Sequence, residues 1–319
     1  MRSHIAKLLL SALLFFFIFL GSVCKNDKPC TTCPTPDDTT ANPRRLIDNA
    51  GYPDWSPTGE RMAFVRDSLI YLYYFSDKHI EAVTVGTEPN FSPDGGKLTF
   101  ERDRKIYWID LTSKQEVYLA DGITPNWSAN GKWIAFANKS ASRLLTDGTI
   151  IYGAPSTDSS LYYYDFESSL VKRIVITNYD SLYIGAKLSI FSPVWAMHDS
   201  ILFFSVEFGL LKVKNSGGLA VGYPLDFPKS KTVNKRYSIA SIGNGGQQRW
   251  NEVTRRLIYF ANDEIGDHVY QARVHMHDFK TGFGGAIMQR ESTDPTWSTD
   301  GKKIGFTYIS SVWVYQLLQ

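Results

Sequence analysis

Apolar and polar positions alternate in short stretches along most of the chain, and several of these stretches follow a tight turn. The alternation places every second side chain on one face, which predicts β-strands, and it is clearest in "KLTF" (Lys97–Phe100), "KWIAF" (Lys132–Phe136) and "KKIGF" (Lys302–Phe306). The turns before these segments contain Asp or Asn followed by Gly, a pair that tolerates positive φ and favours β-hairpins; they are "PDG" (Pro93–Gly95), "ANG" (Ala129–Gly131) and "TDG" (Thr299–Gly301).

The hairpins belong to a repeat that an aromatic residue marks. Its six copies begin at Trp55, Phe91, Trp127, Trp195, Trp250 and Trp297. Five copies have a proline two residues before the marker: Pro53, Pro89, Pro125, Pro193 and Pro295. A second aromatic residue lies nine positions after each marker: Phe64, Phe100, Phe136, Phe204, Tyr259 and Phe306. Such self-similarity indicates a repeat fold, and we expect the aromatic pair to pack between neighbouring repeats.

Each repeat predicts four strands. A third strand follows the hairpin, as in "LIYLYYF" and "VWVYQLL", and a fourth, more polar strand comes next, as in "HIEAVTV". Four short antiparallel strands per repeat, at a period of roughly 36 to 50 residues, are typical of one β-propeller blade. The expected fold class is therefore all-β, a six-bladed β-propeller of four-stranded antiparallel blades that covers residues 44–319.

The last repeat stops after its third strand, so its fourth strand must come from another part of the chain. The segment "NPRRLIDNAGYPDW" near the start resembles the end of one blade running into the next. We expect a strand at about residues 44–48 to pair with Val312–Leu317 of the last blade. This pairing would close the ring and remove an exposed sheet edge.

The repeat is stretched in its middle. The markers Trp127 and Trp195 are 68 residues apart, whereas the first two spacings are 36. The excess of roughly 30 residues is shorter than a blade, so we expect long loops at 139–159 and 177–187 rather than a seventh blade. A loop of that length in a compact fold usually has a function or is disordered, and the sequence leaves open whether 139–159 covers the central channel.

The charge balance argues against a nucleic-acid partner. The 319 residues contain 34 basic and 32 acidic side chains, without a run of Lys and Arg interleaved with aromatic residues. The chain therefore lacks the positive surface that neutralises phosphates. Its 18 Tyr, 19 Phe and 8 Trp suit the half-buried faces of β-sheets instead. We expect a monomer.

The first residues predict export. Arg2 and Lys7 precede the apolar run "LLLSALLFFFIFLG", which is too short to span a bilayer and is typical of a secretory signal. We assign residues 1–23 to a signal peptide and the polar, Pro- and Thr-rich residues 24–43 to a flexible tether. The segment "LGSVC" resembles a bacterial lipobox, although Gly21 and Val23 depart from its usual residues. Cys24 is thus either a lipidated cysteine or a residue beside an ordinary cleavage site.

All three cysteines lie in this region, and the 286 residues after Cys33 contain none. Cys30 and Cys33 form a CxxC outside any strand–helix context, so a redox role is less favoured than a local disulfide or no role. With lipidation at Cys24, the expected location is an outer-membrane or periplasmic lipoprotein, or one at the cell surface. The sequence does not decide the membrane leaflet.

The repeat "P-x-W-S-P-D-G-K-x-I-A-F", with the "RRL" strand before it, resembles the Tol-type β-propeller repeat of TolB-like proteins. The resemblance covers about Pro43 to Gln319. It implies the propeller architecture and a tendency to bind protein partners at the channel mouth. The propeller of that family follows a separate α/β domain, in whose place we expect only the tether. The resemblance is specific for the fold and not for the function, because propellers support many activities.

Catalytic motifs are weak. No G-x-S-x-G nucleophile elbow occurs, and the turn glycines before Lys lack the remaining residues of a phosphate loop. His275 and His277 lie two positions apart on a predicted strand, where both side chains face one side and could ligate a metal. Two histidines on a half-exposed strand without a metal are the more favoured alternative, so we expect no cofactor.

The residues directly before the marker aromatics are candidates for the channel lining. If the marker turns into the core between blades, its predecessor should face the opposite way, toward the axis. These residues are mostly polar: Asp54, Asn90, Asn126, Arg249 and Thr296. Simple solvation of a strand edge is favoured over a small-molecule site.

These observations lead to a functional expectation. We expect a non-catalytic cell-envelope module, tethered to a membrane by a lipid on Cys24, that binds a protein or an envelope glycan. The alternative is a metal-dependent enzyme of the lyase kind, or a sugar-binding lectin, that uses the channel mouth. The identity of the partner or ligand is not encoded in any motif of the sequence.

Overall fold

The structure, a computed structural model, describes residues 43–138, 143–144, 150–151, 160–174, 187–209, 217–224, 237–243, 246–266, 269–282, 284–288 and 290–317. All of them belong to one compact unit, Pro34–Gln319. The predicted signal peptide and tether, with Cys24, Cys30 and Cys33, lie outside these residues, as does most of the expected loop 139–159. No described helix is long and apolar enough to cross a membrane.

The described chain is built from antiparallel β-strands in the arrangement of a β-propeller. In chain order, the first sheet contains β2 (Gly51–Trp55), β3 (Arg61–Arg66), β4 (Leu69–Tyr74) and β5 (Ile80–Val85). The second contains β6 (Thr87–Phe91), β7 (Lys97–Arg102), β8 (Lys105–Asp110) and β9 (Glu116–Asp121). The third contains β10 (Ile123–Trp127), β11 (Trp133–Asn138), β14 (Ser160–Asp165) and β15 (Leu170–Ile174), with the small hairpin β12 (Arg143–Leu144) and β13 (Ile150–Ile151) inserted after β11.

The remaining three sheets also have four strands each. The fourth contains β16 (Lys187–Ala196), β17 (Ile201–Gly209), β18 (Gly217–Pro224) and β19 (Tyr237–Gly243). The fifth contains β20 (Gly246–Asn251), β21 (Arg256–Gly266), β22 (Val269–Asp278) and β23 (Gly284–Ala286). The sixth joins β24 (Thr293–Trp297), β25 (Lys303–Tyr308) and β26 (Ser311–Gln316) to β1 (Arg44–Ile47).

The prediction of six blades is wrong in its count, because five sheets are complete blades. The fourth sheet departs from the repeat. Its strands are 10, 9, 8 and 7 residues long, and among them only Ser192–Ala196 and Ile201–Ser205 have described side chains. The departure lies just after the stretched spacing from Trp127 to Trp195. The marker and Phe204 keep the inner two strands in the repeat, whereas the outer two are longer than the six-residue outer strands of the first and second sheets.

The ring closes as the sequence predicts. β1 pairs antiparallel with β26, with Arg44 opposite Val314 and Ile47 opposite Val312. Ile47 and Val312 pack in one cluster with Trp55 and Phe64 of the first sheet. The first strand of the described chain therefore completes the last sheet and also contributes to its packing against the first one.

The marker aromatics pack between neighbouring sheets, as expected. Phe91 lies in a cluster with Ile70 and Leu72 of the preceding sheet. Trp127 packs with Ile106 in the same way, and Trp297 with Ile258. Stacking of separate sheets through large aromatic side chains stabilises the ring by apolar burial.

The sheets extend unequally at one end. We call the end at which the innermost strands begin, at Gly51, Thr87 and Ile123, the upper face. Beyond Phe260, the described pairing partner of β21 is β22 alone, so Ala261–Gly266 and Val269–Arg273 form a two-stranded ribbon that projects past the upper face. The insertion that carries β12 and β13 leaves from the same face, because Asn138 pairs with Ser160 there.

We predict that the closing strand is part of the cooperative core. Ile47→Ala should lower the free energy of unfolding by about 2 to 5 kcal/mol, the usual cost of truncating a buried Ile, because its side chain is buried between two sheets. Urea unfolding measures the change. Arg45→Ala is the matched control, since its ion pair with Asp48 is solvent-exposed and should contribute about 0.5 kcal/mol or less. Equal effects of both changes would contradict the closure.

Candidate functional site

The innermost strands surround the axis in a closed ring. Each contacts the next one along the chain, and the last contacts the first: β2, β6, β10, β16, β20 and β24. All six carry a bulge just before the marker aromatic. The bulge contains a residue with φ between 50° and 54°: Tyr52, Glu88, Thr124, Ser192, Gln247 and Asp294. A bulge re-aims side chains and bends its strand, and here it places one variable side chain per strand near the axis.

A belt of side-chain hydrogen bonds connects one inner strand to the next. The acceptors are the residues directly before the markers, and each receives the backbone N–H of the next marker. Asp54 Oδ2 accepts from Phe91 at 2.8 Å, Asn90 Oδ1 from Trp127 at 2.8 Å, and Asn126 Oδ1 from Trp195 at 3.1 Å. Thr296 Oγ1 accepts from Trp55 at 3.4 Å, across the ring closure. We call Asp54, Asn90, Asn126 and Thr296 the belt.

The structure thus brings the five predicted channel residues together at the ring centre, in two kinds of position. The four belt residues are 2 to 8% exposed and point toward the neighbouring strand. Arg249 differs: its side chain extends past the sixth sheet, so that Nε lies 3.6 Å from Asp54 Oδ1 in the first sheet. Burial raises the pKa of the Asp54 carboxyl, and the Arg249 guanidinium partly offsets that rise.

Above the belt lies a narrow cavity at the upper face, which we call the neck. The six bulge residues line it together with Arg249 and the repeated prolines: Tyr52, Glu88, Pro89, Thr124, Pro125, Ser192, Pro193, Gln247, Arg249, Asp294 and Pro295. Two further hydrogen bonds cross between strands here, from Asp294 N to Gln247 Oε1 at 3.1 Å and from Ser192 N to Thr124 Oγ1 at 3.0 Å. The neck has room for roughly one or two water molecules.

The neck is acidic. Burial, together with the nearby Glu101 and Asp294 charges, raises the pKa of Glu88 to about 8 against the opposing charge of Arg249. Burial also raises the pKa of Asp294. The pKa of the Tyr52 hydroxyl is raised by burial and by these same carboxylates. Groups with such perturbed pKa values in a cleft are the usual sign of a functional site.

His275 and His277 lie elsewhere, on β22 of the fifth sheet. His275 stacks on Tyr259 and its Nε2 lies 3.0 Å from Asp263 Oδ1. His277 contacts Phe279, and burial lowers its pKa. Each histidine therefore has its own partners. Within the described ranges, no group of three or more His, Cys, Asp or Glu side chains is placed to hold a metal ion. His268, a third histidine nearby in sequence, lies outside those ranges.

The alternation of apolar and polar residues along the strands does not identify the bulge residues that line the neck. The available signal was the repeated proline, because a proline inside a strand marks an edge or a bulge. In five of the six repeats the bulge residue directly precedes that proline, and its identity changes from repeat to repeat. A variable residue next to a fixed backbone feature indicates where a repeat fold acquires its own chemistry.

Comparisons with known proteins support the fold alone. No protein-family model and no curated protein sequence matches the chain. Among solved structures, a protein from Agrobacterium tumefaciens assigned to TolB is 15% identical over 85% of this chain and 91% of its own, with a TM-score of 0.56. A gluconolactonase from Xanthomonas campestris is 13% identical over 87% and 90%, with a TM-score of 0.60. An oligogalacturonate lyase from Vibrio parahaemolyticus is 10% identical over 90% and 96%, with a TM-score of 0.56.

These neighbours confirm the β-propeller and its likeness to TolB-type propellers. The neighbours differ in function, so the fold by itself does not decide what this chain does.

We predict that the belt contributes measurably to stability. Asn90→Ala removes the acceptor of the buried Trp127 N–H and should lower the free energy of unfolding by about 1 to 3 kcal/mol, the cost of leaving a buried donor unpaired. Urea unfolding provides the comparison. Asn138→Ala is the control, because Asn138 is exposed, and it should change stability by about 0.5 kcal/mol or less. An Asn90→Ala protein as stable as the control would show that the belt bonds are replaceable by water.

Proposed function

We propose that the chain is a non-catalytic binding module of the cell envelope. A lipid on Cys24 tethers it to a membrane, and the upper face of the propeller binds a protein partner; an envelope glycan is the other ligand class that the sequence allows. The lipobox-like segment before Cys24 and the TolB-like propeller support the location and the type of function. The geometry of the upper face supports its assignment as the binding site.

The concentration of irregular features on one face is the observation that carries this proposal. The neck opens at the upper face, the ribbon of β21 and β22 projects past it, and the insertion with β12 and β13 leaves from it. In the first and second sheets, the corresponding strands are joined by two-residue turns, at Asp67–Ser68 and Asp103–Arg104. Loops and extensions that depart from a regular scaffold are where binding sites usually lie.

The projecting ribbon has the properties of a contact surface. Near its turn, Ile265 and Val269 are about half exposed, at 49% and 55%. Toward its base, Asp263 lies beside His275 and 3.7 Å from Arg273. An exposed apolar tip above a partly buried polar network resembles the apolar centre and polar rim of protein interfaces.

We predict that the ribbon tip is required for capture of the partner. The full-length protein, used as bait in crosslinked membranes, should retain one specific envelope protein, and Ile265→Asp with Val269→Asp should reduce its recovery at least tenfold. An apolar contact surface loses its favourable burial when charges are introduced. Quantitative mass spectrometry of the captured material measures the effect.

Val253→Asp is the matched control, because Val253 is similarly exposed but lies in the turn between β20 and β21, at the opposite end of the fifth sheet. Equal recovery with the tip variant and the control would exclude the upper face. Turnover of a glycan or peptide by the purified protein would contradict the non-catalytic assignment and favour the enzyme alternative.

We predict that Cys24 anchors the chain. A Cys24→Ser protein should appear in the soluble fraction after carbonate washing of membranes, whereas the unchanged protein should stay in the pellet, because stable anchoring needs a covalent lipid or a membrane span. Cys30→Ser is the control and should behave as the unchanged protein. A Cys24→Ser protein that remains in the washed pellet would refute the lipid anchor.

A further inference from the structure

We propose that the neck binds a primary ammonium group, the head group of a lysine side chain that the protein partner inserts along the axis. Only the identity of the molecule that supplies this group, a protein partner, rests on the proposed function. The ammonium site itself follows from the charges, the shielding and the size of the neck.

The charges around the neck favour a cation. In the described residues, the carboxyl groups of Glu88 and Asp294 line it, and those of Asp54 and Glu101 lie nearby. They come from β2, β6, β7 and β24, and the cation that faces them is Arg249 of β20. Arg249 is already placed beside Asp54 at 3.6 Å. When Glu88 and Asp294 are ionised, the upper part of the neck between them therefore has an excess of negative charge.

Glu88 supplies a second, independent observation. Its side chain lines the neck, and Thr124 N–H donates to its carboxylate. Its Oε2 atom, however, has almost no accessible surface and no hydrogen-bond partner among the described atoms. A shielded, unpaired carboxylate oxygen costs free energy, which a donor brought by a ligand would recover.

The size of the neck selects the form of the cation. Space for roughly one or two water molecules accommodates an ammonium head, which is about as large as water, and excludes a sugar ring. An ammonium has three donors. Glu88 Oε2 can accept one of them, and Asp294 and the oxygens of Thr124 and Gln247 line the same cavity. A lysine side chain carries this head on a slender flexible stem, which suits entry along an axis.

Proton release should accompany binding. Glu88, with a pKa near 8 in the free protein, is mostly protonated at pH 7, and a bound ammonium favours the charged carboxylate. Binding therefore displaces the Glu88 proton. The affinity should be constant above about pH 8 and weaken by up to about tenfold for each pH unit below it, because one proton must leave for each ammonium bound.

The experiment titrates the full-length protein in detergent with butylammonium chloride, a lysine side-chain analogue, by isothermal titration calorimetry at constant ionic strength between pH 6 and 9. Two buffers of different ionisation enthalpy report the released protons. Tetramethylammonium has the same charge but is larger and has no N–H, and potassium and calcium chloride test inorganic cations. We expect saturable butylammonium binding, release of close to one proton at pH 7, and no binding of tetramethylammonium.

Glu88→Gln should weaken butylammonium binding at pH 9 at least tenfold and abolish the pH dependence. Glu291→Gln, at an exposed carboxylate, should change neither. Proton release in the unchanged protein tests the site without any variant. The proposal is overturned if butylammonium does not bind at pH 9, if Glu88→Gln binds like the unchanged protein, or if potassium or calcium binds as tightly at the same residue.

The two proposals fail separately. If butylammonium binds but capture of a protein does not depend on the ribbon tip, the ammonium site is supported and the proposed protein partner is refuted. If capture depends on the ribbon tip but butylammonium does not bind, the binding module is supported and the ammonium site is refuted.

Discussion

The structure depends on how the backbone N–H groups of the innermost strands find hydrogen-bond acceptors at the axis. Each of these strands is the inner edge of its sheet, so one side of it has no strand partner, and a buried N–H without a partner is costly. The belt provides acceptors from the neighbouring sheet, and in doing so it connects sheets between which no backbone ladder runs. Thr296 and Trp55 continue the belt across the junction between the two ends of the described chain. Aromatic packing holds the sheets together, and the belt fixes their positions at the centre.

The belt is interrupted at two positions where the residue before the marker has no side-chain acceptor, Val194 in the fourth sheet and Arg249 in the fifth. In the fifth sheet the belt position holds Arg249, which donates rather than accepts. At the junction with the sixth sheet, the Trp297 indole Nε1 donates to the Arg249 carbonyl oxygen at 3.2 Å, just as the Trp195 indole donates to the Asn126 carbonyl oxygen at 3.2 Å. The Arg249 side chain extends toward Asp54, where it compensates a buried carboxylate. Glu88 and Asp294 line the neck above.

The repeat explains why the backbone fold is regular while the side chains in the neck differ from one repeat to the next. The same bulge with the same positive φ occurs six times, so the backbone brings six side chains to one cavity. Their identities differ, from Tyr52 and Glu88 to Gln247 and Asp294. Proteins that share the propeller at 10 to 15% identity can therefore present different groups at the same place, which is why a lyase, a gluconolactonase and a TolB-type protein share one architecture.

The strands, the turns, the packing role of the aromatic pair and the closing strand at Arg44–Ile47 can all be predicted from the sequence. These features depend on local alternation, on Gly in tight turns and on spacing, all of which are visible within one repeat. The sequence overstated the number of complete blades, since the inner pattern at Trp195 and Phe204 persists although the outer strands of that sheet change.

The position and the chemistry of the candidate site, by contrast, follow from the tertiary structure. Glu88 and Asp294 are 206 positions apart in the chain, and ring closure places them on either side of Tyr52. Asp54 and Arg249 meet because Arg249 extends past an entire sheet. Alternation alone directs the residue before each marker toward the axis, but the bulge turns the belt residues toward the next strand and places the preceding residue in the neck. Burial, which raises the pKa of Glu88, arises when six strands converge, and no single repeat contains that information.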